Sequence, residues 1–256
     1  MRPNTKLLYT EILSNPLLDV TDLAPIAEIA HQHNAKVMVD NTFTTPLLVK
    51  PLHLGADLVA NSLTKSLNGH FDVTAGSLTV KDKCLMDHAQ ELVTLFGSVC
   101  DPNSAWLALR GIRTAELRIM RQNDNACKLA KALQQNPHVQ KVFHPSLPSH
   151  PNHDVAVKQL RENCFGSILS IELEDSYESM NTFIGNLELV KYANTLGGYR
   201  TTVSHPCLAS HYHIDDAVRR SIGIHPGVLR ISCGIEAAED LIADFERALD
   251  KTFQNT

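Results

Sequence analysis

The sequence lacks the usual marks of several large protein classes. No apolar stretch among its 256 residues approaches the roughly 20 residues that a transmembrane helix needs. Met1–Val20 is interrupted by polar residues and does not resemble a secretory signal peptide. The formal net charge of -5 is opposite in sign to that of proteins that bind the nucleic-acid backbone. These absences predict a cytoplasmic protein that binds a small molecule, with no nucleic-acid and no membrane partner.

Several short functional motifs are also missing. Neither GxxxxGK[ST] nor GxGxxG occurs, so a nucleotide-binding domain would have no phosphate loop. Ser204-His205 could suggest a hydrolase, but no G-x-S-x-G nucleophile elbow is present. The six cysteines form no CxxC pair, which is typical of free thiols in a reducing compartment. His31-x-His33 and His211-x-His213 have no third ligand beside them, so no metal site is predicted.

Strand and helix patterns alternate over the first 80 residues. Apolar runs predict four strands, at Leu7–Ile12, Lys36–Asp40, Asp57–Asn61 and Gly76–Val80. A helix, capped by Thr21 or Asp22, is predicted to run to about Asn34. This order is typical of an α/β sheet that is covered on both faces. Four strands are few for a cofactor-binding sheet, so we expect a further amino-terminal segment in the natural domain.

The remainder of the chain predicts helices followed by a smaller mixed region. Lys83 to about Gln135 is helical in pattern, with one or two long helices over Asn103–Gln134. Further strands are predicted at Val139–His144, Ser167–Glu172 and Val228–Ser232, and further helices near Tyr177–Leu187 and Ala237–Phe253. We therefore divide the chain into the carboxyl-terminal part of a large α/β domain, residues 1–136, and a small α+β domain, residues 137–256.

Two neighbouring segments carry the residue types that pyridoxal phosphate (PLP) requires. Asp40 ends an apolar strand, and Lys65 follows Ser62 and Thr64 closely. Alone, an aspartate after a strand is commonly a turn cap, and a lone lysine is usually solvated. Together these residues supply an amine for a Schiff base, a carboxylate for the pyridine nitrogen and hydroxyls for a phosphate. Ser62 and Thr64 face the same way if the chain there is extended.

Six short motifs extend this pattern along the chain. They are Asp40–Phe43, Ser62–Lys65 with Asn68–His70, Arg110–Thr114, Leu196–Gly198, Ser204–Pro206, and Leu229–Ser232 with Gly234–Glu236. In these motifs, from Lys6 to Phe253, the chain resembles the Cys/Met-metabolism PLP enzymes, which include cystathionine γ-synthase, the cystathionine lyases, methionine γ-lyase and the O-acylhomoserine sulfhydrylases. The resemblance implies an α/β PLP-dependent transferase fold of type I, like that of aspartate aminotransferase.

The resemblance also implies a chemistry and an assembly. The expected reaction is γ-elimination or γ-replacement in transsulfuration, on homoserine-ester, cystathionine or methionine-like substrates. Family members form homo-oligomers, so a dimer or a tetramer is expected.

Five residues match the family's cofactor site. Lys65 would carry PLP and move protons, Asp40 would pair with the pyridine nitrogen, and Ser62 and Thr64 would bind the phosphate. Asn15 matches an asparagine near the ring hydroxyl.

Three further residues match the family's substrate site. Arg230 would hold the substrate carboxylate through its bidentate fork, and Thr195 stands in place of a serine that assists it. Asn194 lies where some relatives have an acidic residue for a distal amino group, so the neutral amide disfavours that substrate.

The resemblance has one large gap. A phosphate-binding Gly loop, a ring-stacking tyrosine and a Tyr-x-Arg element, which precede this segment in the family, have no counterpart in these residues. The alternative prediction is therefore a catalytically silent fragment or an interaction subunit.

Overall fold

The computed structural model describes residues 1–253 and contains two β-sheets. The first sheet consists of β1 (Leu7–Glu11), β2 (Lys36–Asp40), β3 (Leu58–Ser62) and β4 (Gly76–Val80), in that order. The second has the order β5-β6-β9-β8-β7, with β5 (Lys141–Phe143), β6 (Ile168–Glu172), β7 (Lys191–Tyr192), β8 (Thr202–Ser204) and β9 (Val228–Ser232). The strands β1 to β3 are parallel, and β4 is antiparallel to β3.

The α-helices lie between and after these strands. They are α1 (Leu23–Gln32), α2 (Thr45–Leu48), α3 (Lys83–Phe96), α4 (Pro102–Ile112), α5 (Ala115–Gln135), α6 (His153–Gln159), α7 (Tyr177–Asn186), α8 (Asp216–Ser221) and α9 (Ala238–Phe253). The long helical stretch is thus three helices. The chain turns at Gly97, which has φ +87°, and Asp101 then caps α4 through the N–H groups of Asn103 and Ser104. Within residues 1–253, none of these helices combines the length and hydropathy of a membrane-spanning segment.

The first sheet is buried on one face. Val37, Val39 and Val59 are buried and pack in one cluster with Leu23 and Ala27 of α1. The edge strand β4 is largely exposed, and the following helix α3 has no buried residue. The expectation that both faces are covered is therefore wrong for β4, because Leu78 and Thr79, which point to opposite faces of this edge strand, are both exposed.

The second sheet encloses the largest core. All five residues of β9 are buried, and α5, α7 and α9 cover the strands with side chains such as Leu129, Phe183 and Phe245. The sequence patterns missed β7, β8, α6 and α8, which are two to seven residues long and too short to show a clear periodicity. Helix α5 precedes the predicted domain boundary, between residues 136 and 137, yet it contributes to the core of the second sheet. The division of the chain at that boundary stays a prediction.

The two sheets meet where the chemistry-bearing residues lie. Ile168 and Leu196 of the second region belong to the cluster that contains Val39. The Ser170 hydroxyl donates to the Pro16 carbonyl at 2.6 Å. The junction therefore brings the turn after β1 next to β6 and β9.

Candidate active site

Polar side chains gather at the carboxyl ends of the parallel strands. Glu11 and Asp40 are register partners at the ends of β1 and β2, and Ser62 ends β3. Asp40 Oδ1 accepts a hydrogen bond from the Thr42 N–H at 2.9 Å, and the Thr42 hydroxyl oxygen accepts one from the Ser62 N–H at 2.9 Å. Thr42 therefore joins the two strand ends at the edge where open α/β sheets bind ligands.

Two residues that the sequence patterns did not single out surround Asp40. The Tyr9 hydroxyl donates to Asp40 Oδ2 at 3.1 Å. Desolvation and the charge of Asp40 raise the pKa of Tyr9 to about 12. Burial also raises the pKa of Glu11, and the Asp40 charge adds to this rise, although the Asn15 N–H opposes it. Both residues lie in a predicted strand, but the pairing of that strand with β2 is not visible in the sequence.

Lys65 lies in a helical turn, Leu63–Leu67, that directly follows β3. Its backbone departs from helical geometry, with φ -92° and ψ -136°, and its carbonyl accepts a hydrogen bond from the Gly69 N–H at 2.7 Å. Burial, and secondarily the charge of Arg230, lower the pKa of the Lys65 amine. A lowered pKa leaves more of the amine neutral near pH 7, the form that acts as a nucleophile or base.

The two predicted phosphate ligands differ in their local bonding. The Thr64 hydroxyl donates to the Ala75 carbonyl at 3.2 Å and accepts from the Ala75 N–H at 3.0 Å. The Ser62 hydroxyl makes no hydrogen bond within residues 1–253. Of the two hydroxyls, that of Ser62 is therefore free to donate to a ligand, as far as residues 1–253 are concerned. The phosphate role of the pair stays a prediction.

Arg230 is a buried cation at the junction of the two sheets, with 5% of its surface exposed. It donates to Asn15 Oδ1 at 3.1 Å and to the Thr195 carbonyl at 3.4 Å, while its Nε is buried without a partner. Burial lowers its pKa to about 10. Among the described residues, no carboxylate forms an ion pair with it.

A cleft of about 440 Å³ opens beside Arg230. Asn194, Tyr212 and His213 are among the residues that line it. The Asn194 side-chain oxygen accepts a hydrogen bond from the Ser204 hydroxyl at 3.1 Å. Arg230 thus bonds Asn15 and Thr195 directly and shares the cleft with Asn194, and it is near enough to Lys65 to influence the pKa of that amine. Thr195 contributes its backbone carbonyl to this arrangement.

The overall arrangement is shared with solved PLP-enzyme structures. The crystal structure of cystathionine gamma synthase from Xanthomonas oryzae pv. oryzae, in complex with aminoacrylate and cysteine, matches with a TM-score of 0.94 at 37% identity, over 98% of this chain and 64% of that one. A cystathionine gamma-lyase from Lactobacillus plantarum, complexed with L-serine, matches with a TM-score of 0.93 at 35% identity, over 99% and 66%. This likeness shows a PLP-dependent transferase fold, as the motifs predicted.

Sequence comparisons agree with the structural likeness. The family model for Cys/Met metabolism PLP-dependent enzymes matches residues 1–250. The cystathionine beta-lyase of Lactococcus lactis subsp. cremoris is 42% identical over 250 residues, which are 98% of this chain and 65% of the relative. The L-methionine gamma-lyase of Fusobacterium nucleatum subsp. polymorphum is 40% identical over 254 residues, covering 98% and 64%. The chain belongs to the Cys/Met metabolism PLP-dependent enzymes, whose cofactor is PLP, and spans about 65% of the length of these curated relatives.

Proposed function

We propose that this chain forms the lysine-bearing part of a PLP-dependent C–S lyase or γ-synthase that acts on sulfur amino acids. The observation that carries the proposal is the buried Arg230, which has no acidic partner among the described residues and whose charge acts on Lys65. A buried charge without a counterion is unfavourable by several kcal/mol, roughly, so such a site favours an anionic ligand. The carboxylate of an amino acid fits this bidentate cation.

The residues around the strand ends fit PLP. When bound, PLP withdraws electrons from the carbon that carries the substrate amino group. Lys65 would hold the cofactor and move a proton between the substrate Cα and more distant carbons. The Asp40 carboxylate, oriented by the Thr42 N–H and the Tyr9 hydroxyl, would pair with the pyridine nitrogen. The uncommitted Ser62 hydroxyl would donate to the phosphate, with Thr64 as the second donor and Asn15 near the ring hydroxyl.

The proposed reaction is γ-elimination or γ-replacement. Both begin with proton removal from Cα, which needs a lysine that is neutral at working pH, and the lowered pKa of Lys65 supports this. The candidate substrates are homoserine esters, cystathionine and methionine-like amino acids. Among them, the Asn194 amide, whose oxygen is occupied by Ser204, offers no charge for a distal ammonium group.

We further propose that the chain assembles as a homo-oligomer, a dimer or a tetramer, in the cytoplasm. Support comes from large apolar side chains that are exposed on α3, α4, the connection between them and the start of α5, namely Leu95, Phe96, Val99, Trp106, Leu109 and Leu117. Phe96 is 82% exposed and Leu117 is 75% exposed. Many large apolar side chains in solvent within one stretch of the chain favour an interaction site. Phe96→Glu is expected to lower the mass measured by sedimentation, whereas Val157→Glu, at an exposed site on α6, is expected to leave it unchanged.

Visible absorbance of the purified protein tests the cofactor proposal. After incubation with PLP, we expect a long-wavelength band that disappears on borohydride reduction and that is absent from Lys65→Ala. Lys81→Ala, at an exposed lysine just after β4, is the matched control and should keep the band. A wild-type protein that stays colourless would contradict the proposal and favour a catalytically silent subunit. The rates of keto-acid release from homoserine esters, methionine and cystathionine then rank these candidate substrates.

A further inference from the structure

Arg118 is a second buried cation, and it lies directly behind the turn that carries Lys65. It belongs to α5 and is 6% exposed. Its guanidinium donates to the carbonyls of Ser66 at 2.9 Å, Leu67 at 3.1 Å and Gly111 at 2.8 Å. Its Nε donates to the Thr114 hydroxyl at 3.3 Å. Among the described residues no carboxylate forms an ion pair with Arg118, so its charge faces backbone carbonyls.

These carbonyls belong to the ends of two helical segments. Ser66 and Leu67 end the turn that contains Lys65, and Gly111 lies in the last turn of α4. Carbonyls at a helix end have no partner within the helix and carry a partial negative charge. A planar guanidinium can bind several of them at once, which a lysine ammonium on a flexible stem does not reproduce. Arg118 therefore ties the Lys65 turn to α4 and α5.

Close packing leaves this turn little room to move. Gly69 has φ +74°, and a Cβ at this position would lie 1.7 Å from the Arg118 Nη1 atom. On the other side, a Cβ at Gly197 would lie 2.5 Å from the Ser66 nitrogen. The backbone on the carboxyl side of Lys65 is thus enclosed between Arg118 and the Gly197 loop.

From this geometry we infer that Arg118 is a positioning residue, which fixes the Ser66–Leu67 backbone and thereby the direction of the Lys65 side chain. The inference rests on the proposed function, in which Lys65 holds the cofactor and moves a proton and therefore needs a fixed direction. Arg118 itself lies behind the turn and is bonded to its backbone, so it acts through Lys65.

The test uses Arg118→Lys, which keeps the charge but removes the fork, in the full chain without PLP. Hydrogen–deuterium exchange of the amides in residues 63–71 should become about tenfold faster, since local opening loses two hydrogen bonds. Gly69→Ala, which displaces the guanidinium without changing its charge, should act in the same direction. Arg121→Lys is the matched control on α5, because Arg121 bonds the Glu236 carbonyl and not the turn.

A second measurement reports on Lys65 itself. In reductively ¹³C-methylated protein, the Lys65 signal, assigned by its absence in Lys65→Arg, should titrate at a higher pH in Arg118→Lys than in wild type, because a loosened turn exposes the amine to water. Unchanged exchange at residues 63–71, or faster exchange there with an unchanged Lys65 titration, would overturn the inference. An equal rise in the exchange of the β9 amides would also overturn the inference, because it would show a general loss of stability. A protein that fails to bind PLP would defeat the proposed function alone, since neither measurement requires the cofactor.

Discussion

The two sheets of this chain differ in how far the aromatic side chains around them are buried. Phe183 and Phe245 are fully buried in the core of the second sheet, whereas Phe96, after β4 of the first, is 82% exposed. All residues of β9 are buried, whereas none of the residues of β4 is buried. The second region is thus closed around its own core, whereas the first leaves large apolar side chains such as Phe96 exposed.

Two partly buried carboxylates, one from each region, have pKa values shifted in opposite directions. Burial alone would raise the pKa of Asp244, but hydrogen bonds from the amides of Val190 and Glu188, with Arg247 and Leu189, outweigh it and lower that pKa. Burial and the charge of Asp40 raise the pKa of Glu11. Glu11, at the candidate site, therefore lies in surroundings that disfavour its charge, whereas the surroundings of Asp244 favour its charge.

The largest expected effect comes from truncating one aromatic ring in each region. Phe245→Ala should lower the free energy of unfolding by about 3–5 kcal/mol, because it opens a cavity in a closed core. Phe96→Ala should change the unfolding free energy of the isolated chain by less than about 0.5 kcal/mol, because the ring is exposed there. Urea denaturation of both variants, at an equal protein concentration that is low enough to keep the chain monomeric, measures the contrast. Equal losses at that concentration would show that Phe96 is packed within its own chain and would remove the difference between the regions.

Asp244→Asn should have the next largest effect, a loss of about 2 kcal/mol at pH 7, because the carboxylate accepts hydrogen bonds from the Glu188, Leu189 and Val190 amides. A lowered pKa stabilises the fold fully above the unfolded-state value of about 3.9, and this stability is lost as the pH falls through the folded value. The difference between wild type and variant should therefore shrink below about pH 4. Asp240→Asn, at an exposed site on α9, is the matched control.

Glu11→Gln should act in the opposite direction. Because the folded-state pKa of Glu11 is raised, its charged form is destabilising at neutral pH, and the variant should gain about 0.5 kcal/mol at pH 7. The gain should disappear as the pH falls below the unfolded-state pKa of about 4.3. Glu246→Gln serves as an exposed control. A loss of stability at pH 7 would mean that the Asn15 N–H bond to Glu11 outweighs the Asp40 repulsion.

The smallest expected change is a titration. Asp40→Asn should lower the pKa of Tyr9 from about 12 towards its ordinary value of about 10, since the charge and its hydrogen bond are removed. Desolvation remains, so part of the rise should persist. The ultraviolet absorbance of tyrosinate, taken as the difference from Tyr9→Phe, reports this pKa. An unchanged value would mean that Asp40 does not influence Tyr9.

Much of the fold was accessible from residue patterns. The strands Lys36–Asp40, Gly76–Val80 and Val228–Ser232 have the predicted bounds, because their apolar residues form uninterrupted or alternating runs. The strand Lys191–Tyr192 is only two residues long and shows no period. The helix predicted to end at Asn34 ends at Gln32, where a local pattern does not resolve the last turn.

The sequence by itself determined the residue types at the candidate site and the motif order that identified the family. Which groups touch was decided by the tertiary structure: Arg230 meets Asn15 across 215 positions, and Arg118 meets Ser66 across 52. Periodicity and turn chemistry act over a few residues, whereas burial and hydrogen-bond pairing depend on how distant segments pack. For that reason Lys65 could be predicted as a site residue from its neighbours in the chain, whereas the contacts of Tyr9, Glu11 and Arg118 depend on how the strands and helices pack.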